Sequence, residues 1–334
     1  MVVIENYGFL VSVLCETYNQ SKYITDTLDG FVIQQTTFPF VAIVVDDASI
    51  DGEQKVIKDY INSNFDRSID HDYCQWESED AHWEFARHAE NKNCYIVAVY
   101  LKRNLYKEWN KKIAVVKDWL TTKYFAYCEG DDYWIDPKKL QKQVGFLEEH
   151  NEYDLCCSAS RVYEQRKGCF TGIKGTILCE NYYSIVQDYN DINTATVMTR
   201  MGVWHECNKE LASFLSQEMM IDTAFWYWFA FHRKIKYFSE QMAVYRVLEN
   251  SACHSTDKEK SLLLGLSFLH LKLEFLFRYP LAEGHIEVVN KIIQEVERLC
   301  HYSRYLGESS VRNTKTFSLG SRIKRVMKWQ KKRK

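Results

Sequence analysis

The sequence predicts an α/β fold: a sheet covered by helices, followed by a helical extension at the C-terminus. Three observations predict it. Short apolar runs rich in β-branched residues alternate with stretches of helical apolar period from Phe9 to His150, acidic residues stand directly after two of those runs, and beyond Ser255 the pattern turns wholly helical. With 334 residues, 46% of them hydrophobic, the chain can bury a full core.

Phe9 to Leu14 (FLVSVL) is a buried strand that gives way to a loop at Glu16, Thr17 and Asn19. Tyr23 to Val32 places Ile24, Leu28, Phe31 and Val32 at helical spacing, with Asn19 or Ser21 available as N-cap. Phe40 to Val45 (FVAIVV) is a second buried strand, Asp51-Gly52 a turn or helix start, and QKVIKDYI a short amphipathic helix. Residues 66 to 90 hold eight Asp/Glu against two Arg and no clear apolar period, so the stretch is expected as a surface insertion. Cys94 to Leu101 resumes the sheet, and Trp109 to Leu120 is a helix with Ile113, Val116, Trp119 and Leu120 on one side. YFAYC is a short strand running into Glu129, Asp131 and Asp132, and Pro137 stands near the first turn of a helix striped by Leu140, Val144 and Leu147.

Asp154 to Tyr163 and Thr194 to Arg200 read as strands, Asp222 to Phe231 as an aromatic helix, and KIKYFSE and MAVYRV as two short strands. SLLLGLSFLHLKLEFLF and HIEVVNKIIQEVERL have helical spacing. The expected organisation is a main domain over 1–250, a helical region over 251–316 and a basic tail over 317–334.

A net charge of -2 gives no global reason to expect a nucleic-acid partner. The eleven Cys include no C-x-x-C pair, which argues against structural zinc. Their odd number and apolar settings, with no signal peptide at the start, point to reduced thiols in a cytoplasmic protein. No apolar stretch approaches the ~20 residues that cross a bilayer.

Asp46-Asp47 follow one strand, and Glu129, Asp131 and Asp132 follow another. In open α/β sheets ligands bind beyond the carboxyl ends of the strands, so both clusters are expected to face one crevice. Gathered carboxylates repel unless a cation compensates, and oxygen-only ligands suit Mg²⁺ or Mn²⁺. Asp51 and Asp136 read instead as caps of the helices that follow them, and Gly130 as a point where backbone approaches a ligand closely.

These segments resemble the inverting family 2 glycosyltransferases of GT-A fold over roughly residues 8 to 250. The resemblance is carried by VSVLCETYN, IVVDDASIDG, Asn104 of KRN, CEGDDYWIDPKKLQKQVGFLEEHNE, and the later IDTAFWYW with AVYR. It implies a Rossmann-like mixed sheet flanked by helices, a nucleotide-diphosphate sugar as donor, UDP-linked by preference, and an acceptor hydroxyl on a saccharide or lipid-linked saccharide. It further implies that Thr17, Tyr18 and Asn19 hold the base and ribose, that Asp46 and Asp47 contact uracil or ribose, and that Asn104 belongs to the donor site. Glu129-Gly130-Asp131 with Asp132 takes the place of the family's D-x-D motif. Its first acid departs to Glu, which leaves Asp131 and Asp132 as the metal candidates. By the same resemblance Asp222 is the base, with Glu218 competing, and Arg246 closes the site near the diphosphate.

His254 reads as a solvated loop residue, and Trp134, Trp226 and Trp228 as core before sugar platforms. The tail sets Phe317, Leu319, Ile323, Val326, Met327 and Trp329 among cationic residues, eight of them in the last fourteen positions, a pattern that suits peripheral contact with the inner face of a cell membrane. The competing readings are a non-catalytic nucleotide-sugar or glycan binder and a nucleotidyltransferase. The latter wants a Gly-rich phosphate loop, and ETYNQSKY has no Gly.

Overall fold

The computed structural model describes residues 7–67, 72–106, 108–187, 191–212, 221–249 and 257–305. Strands β1 (Val11–Thr17), β2 (Phe40–Asp46), β6 (Cys94–Leu101) and β7 (Tyr124–Tyr127) form the parallel centre of one mixed sheet, in spatial order β6-β2-β1-β7. Nearly every residue of these strands is buried, because helices cover both faces, which is why they read as continuous apolar runs. Helices α1 (Ile24–Val32), α2 (Glu53–Asn64) and α4 (Lys139–Glu149) contribute to one core and α7 (Ile221–His232), α8 (Lys258–Arg278) and α9 (His285–Tyr305) to the other.

Beyond β7 the sheet continues through β11 (Met198–Arg200), β9 (Leu155–Glu164), β12 (Ile235–Val247) and β8 (Tyr133–Trp134), with β10 (Cys169–Lys174) paired to β9. KIKYFSE and MAVYRV, expected as two strands, are one strand whose register on β9 shifts between Phe238 and Ala243. Gly30 lets α1 press on β8: a Cβ there would stand 2.7 Å from Trp134 N.

The 66–90 stretch is not a surface insertion. β4 (Tyr73–Glu77) and β5 (Ala81–His88) form a hairpin, and β5 pairs antiparallel with β6, extending the central sheet. Cys74, Trp76, Ala81, Trp83 and Phe85 alternate with charged or polar residues and point to the core, a period of two that the acidic residues obscure. None of the nine cysteines described is in a disulfide, and among the described residues no helix is long and apolar enough to cross a membrane.

Candidate active site

The parallel strands deliver their following loops to one edge of the sheet. Residues 17–21 follow β1, 46–52 follow β2, 102–108 follow β6 and 128–132 follow β7. The first two are laced together. Asn19 donates its backbone N–H to Ser49 Oγ at 2.8 Å and accepts from Ile50 N at 2.9 Å, and Gln20 N reaches Glu53 Oε2 at 2.9 Å. The buried Thr17 hydroxyl lies against Glu53, and Asp46 Oδ2 takes Ser49 N and Gln54 Nε2. Asn19 and Ala48 both sit in the left-handed region, at φ of 55° and 60°, held there by this lacing. Tyr18 stands outside it, 45% exposed.

Asp47 has a different role from Asp46. Its Oδ1 accepts Leu105 N at 2.6 Å, its backbone carbonyl accepts Asn104 Nδ2 at 3.0 Å, and its Oδ2 lies 2.9 Å from Lys112 Nζ. The same ammonium is 3.0 Å from Glu16 Oε1, so buried Lys112 of α3 (Trp109–Val116) ties two carboxylates beneath the crevice. One oxygen of Asp46, Oδ1, is buried without a protein partner. It is the polar atom that the donor side leaves open.

The acidic loop is braced from behind. Gly130 N donates to Glu16 O at 3.0 Å, and the Thr27 hydroxyl sits 2.9 and 2.7 Å from the carbonyls of Gly130 and Asp132. Any Cβ at Gly130 would run into Thr17 and Gln20 side chains. The glycine therefore serves contact between two loops. Burial, then the charge of Asp131, pushes the Glu129 carboxyl up to about 8, with Asp222 and Glu16 adding to the shift. Burial likewise raises Asp131.

Asp132, a metal candidate by sequence, is buried with Oδ1 accepting Arg246 N at 2.8 Å, so at least one of its oxygens is committed to the wall. Arg246, expected at the diphosphate, is buried, and three of its five guanidinium N–H groups have protein partners. Its guanidinium donates to Asp131 O at 2.8 Å, Gln165 Oε1 at 3.0 Å and Asp26 Oδ2 at 2.6 Å, and lies over the rings of Tyr23, Tyr133 and Tyr163. It clamps the acidic loop to α1 and the β9–β10 hairpin. The pair left facing the crevice is Glu129 and Asp131, both partly exposed.

Asp222 stands in the first turn of α7, and its charge is felt at Glu129. Burial raises its carboxyl, against backbone hydrogen bonds and the nearby ammonium of Lys174. Burial raises Asp132 and Asp191 as well, and the charge of Lys174, at the end of β10, opposes the rise in both. The sequence reading named neither Lys112 nor Lys174. Lys112 had a signal, since it lies four residues before Val116 on the buried stripe of its helix. Trp134, Trp226 and Trp228 are core residues, at most 2% exposed. Glu218, His254 and the basic tail lie outside the described residues.

Comparison with known proteins follows the same lines. In solved structures, S. aureus TarS in complex with UDP superposes with a TM-score of 0.51 at 18% identity, covering 89% of this chain and 73% of that one. The chain has the GT-A glycosyltransferase fold. TarS in complex with UDP-GlcNAc gives 0.51 at 17% identity, over 87% and 83% of the two chains. Among sequences, the GT-A chain is 24% identical to the putative glycosyltransferase EpsE of Bacillus subtilis over 248 residues, 74% of this chain and 75% of EpsE. It is 34% identical over 156 residues to uncharacterised proteins of Mycobacterium tuberculosis and Mycobacterium bovis, and that match spans 46% of this chain and only about a third, 35%, of those relatives. No protein-family profile matches.

Proposed function

We propose that the chain is an inverting glycosyltransferase of the family 2 kind, taking a sugar from a nucleotide diphosphate, UDP by preference, and passing it to a hydroxyl of a saccharide or lipid-linked saccharide in bacterial cell-surface glycan synthesis. The observation that carries the reading is the meeting, at one sheet edge of a GT-A fold, of Glu129 and Asp131 with a half-buried carboxylate at a helix start, Asp222. Likeness to TarS structures holding UDP and UDP-GlcNAc supports the choice of donor.

In this reading the loop of Thr17, Tyr18 and Asn19 and the open oxygen of Asp46 face the base and ribose, while Asp47 and Asn104 hold that floor in place. Raised, mutually repelling carboxyls at Glu129 and Asp131 fit a divalent cation, Mn²⁺ or Mg²⁺. Among the described residues no group of three or more ligating side chains forms, so such an ion would take most of its shell from phosphate and water. Such an ion would neutralise charge on the departing diphosphate. Asp222 removes the acceptor proton as its oxygen attacks the anomeric carbon, and the raised carboxyl favours that proton transfer near neutral pH. Lys174, close to Asp222, restrains the rise.

The test is donor turnover across a panel of nucleotide sugars. One UDP-sugar is expected to turn over only with Mn²⁺ or Mg²⁺. Asp131→Ala and Asp222→Asn should each lose on the order of 10²-fold or more in rate while remaining folded, and Asp222→Asn should still bind UDP. UDP binding without turnover of any donor by the wild type would favour the glycan-binding alternative.

A further inference from the structure

Four of the ten large apolar side chains exposed among the described residues crowd between positions 170 and 178. Phe170, Ile173, Ile177 and Leu178 are 41, 61, 63 and 53% exposed. The first two belong to β10, of whose six residues five are exposed, and which pairs with β9 along one edge. No other described strand pairs its second edge. Bare apolar edges are ordinarily covered or charged, because they recruit other surfaces.

This patch is framed in positive charge. Residues 161–180 hold Arg161, Arg166, Lys167 and Lys174 against two acids, Glu164 and Glu180, in a chain of net charge -2. The Arg161 guanidinium lies 3.6 Å over the Phe170 ring, so cation and apolar surface are presented together. Arg166 and Lys167, at the hairpin turn, are 74% and 59% exposed even with Glu249 and Glu164 nearby. A second copy of the chain meeting this face would set cation against cation. A surface that is apolar just inside and anionic just outside matches both features.

We propose that the β9–β10 hairpin, with the 3-10 turn at Ile177–Glu180, is a docking surface for an anionic lipid bilayer. Phe170, Ile173, Ile177 and Leu178 enter the headgroup boundary, and Arg161, Arg166 and Lys167 meet lipid phosphates. β10 runs from this patch to Lys174, beside Asp222, so a docked bilayer presents membrane-borne molecules at the acceptor side of the crevice. The choice of a lipid-linked acceptor rests on the transferase reading. The docking surface itself does not.

The experiment is co-sedimentation of the full chain with vesicles of phosphatidylcholine alone and with added phosphatidylglycerol. The wild type is expected to pellet only with the anionic vesicles. An Ile173→Ser/Ile177→Ser/Leu178→Ser variant and an Arg166→Glu/Lys167→Glu variant should each lose about tenfold in partitioning, with unchanged melting temperature. Failure of the wild type to pellet, variants that pellet like the wild type, or loss of self-association in sedimentation velocity with vesicle binding unaltered would each overturn the proposal. Donor hydrolysis on the same preparations separates the two readings. Pelleting without hydrolysis breaks the transferase alone, and hydrolysis without pelleting breaks the docking surface alone.

Discussion

On the donor side of the crevice, the loops after β1 and β2 are cross-tied through Asn19, Ser49, Glu53 and Thr17, and the floor beneath them is pinned by the Glu16–Lys112–Asp47 ion triad. The proposed acceptor side is built on α7, where Trp226 Nε1 and the Tyr227 hydroxyl are buried with no hydrogen-bond partner. One wall has nearly every polar group committed, and the other holds bonding capacity in reserve. Since a nucleotide is a common ligand and an acceptor is a specific one, the contrast suits a preformed donor pocket beside a wall whose hydrogen bonds are completed by something else.

The comparison is most easily broken at Lys112. Its ammonium is buried between two carboxylates, so removing it leaves uncompensated charge, which typically costs about 3–5 kcal/mol. Lys112→Met should lower stability by that order in urea denaturation, and adding Glu16→Gln and Asp47→Asn should restore a large part. A Lys112→Met variant that unfolds like the wild type would show that the donor floor is not fixed by its ions.

A second expectation concerns pH. With its carboxyl at about 8, Glu129 keeps a proton at neutral pH that the unfolded chain, titrating near 4.5, has lost. Between those values the folded state binds more protons, so this group's contribution to stability is full at acid pH and is lost as pH rises through about 8. A divalent ion must displace the proton. Calorimetry at pH 7 in buffers of different ionisation enthalpy should show about one proton released per Mn²⁺ bound, falling toward zero above about pH 9, and none from Glu129→Gln. Equal release at both pH values would remove Glu129 from the cation site.

How far the sequence could be read follows from the same contrast. The buried parallel strands declare themselves because both faces are covered, and the acidic residues at their ends mark the crevice edge. β5 does not declare itself, because His82, the buried Glu84 and His88 on its other face drown an apolar period of two. For Arg246 the sequence says where the residue lies but not that Asp131, Gln165 and Asp26 take three of its donors. Lys174 carries no local pattern at all. Its nearness to Asp222 arises from the pairing of β10 on β9, a contact between distant parts of the chain.

The smallest expected effect is the sharpest test of the acceptor wall. Trp226 and Trp228 are equally buried on one helix, but Trp228 Nε1 donates to Glu210 Oε2 at 2.9 Å while Trp226 Nε1 has no partner. Phenylalanine at either position loses similar volume. Only at 228 does it also break a hydrogen bond to a carboxylate, worth about 1.5–3 kcal/mol. At 226 it removes an unsatisfied donor, which offsets the small cavity, so Trp226→Phe should unfold within about 1 kcal/mol of the wild type and Trp228→Phe clearly below it. Equal losses of stability at the two positions would mean that the Trp226 N–H is already satisfied, and the wall is no less committed than the donor side.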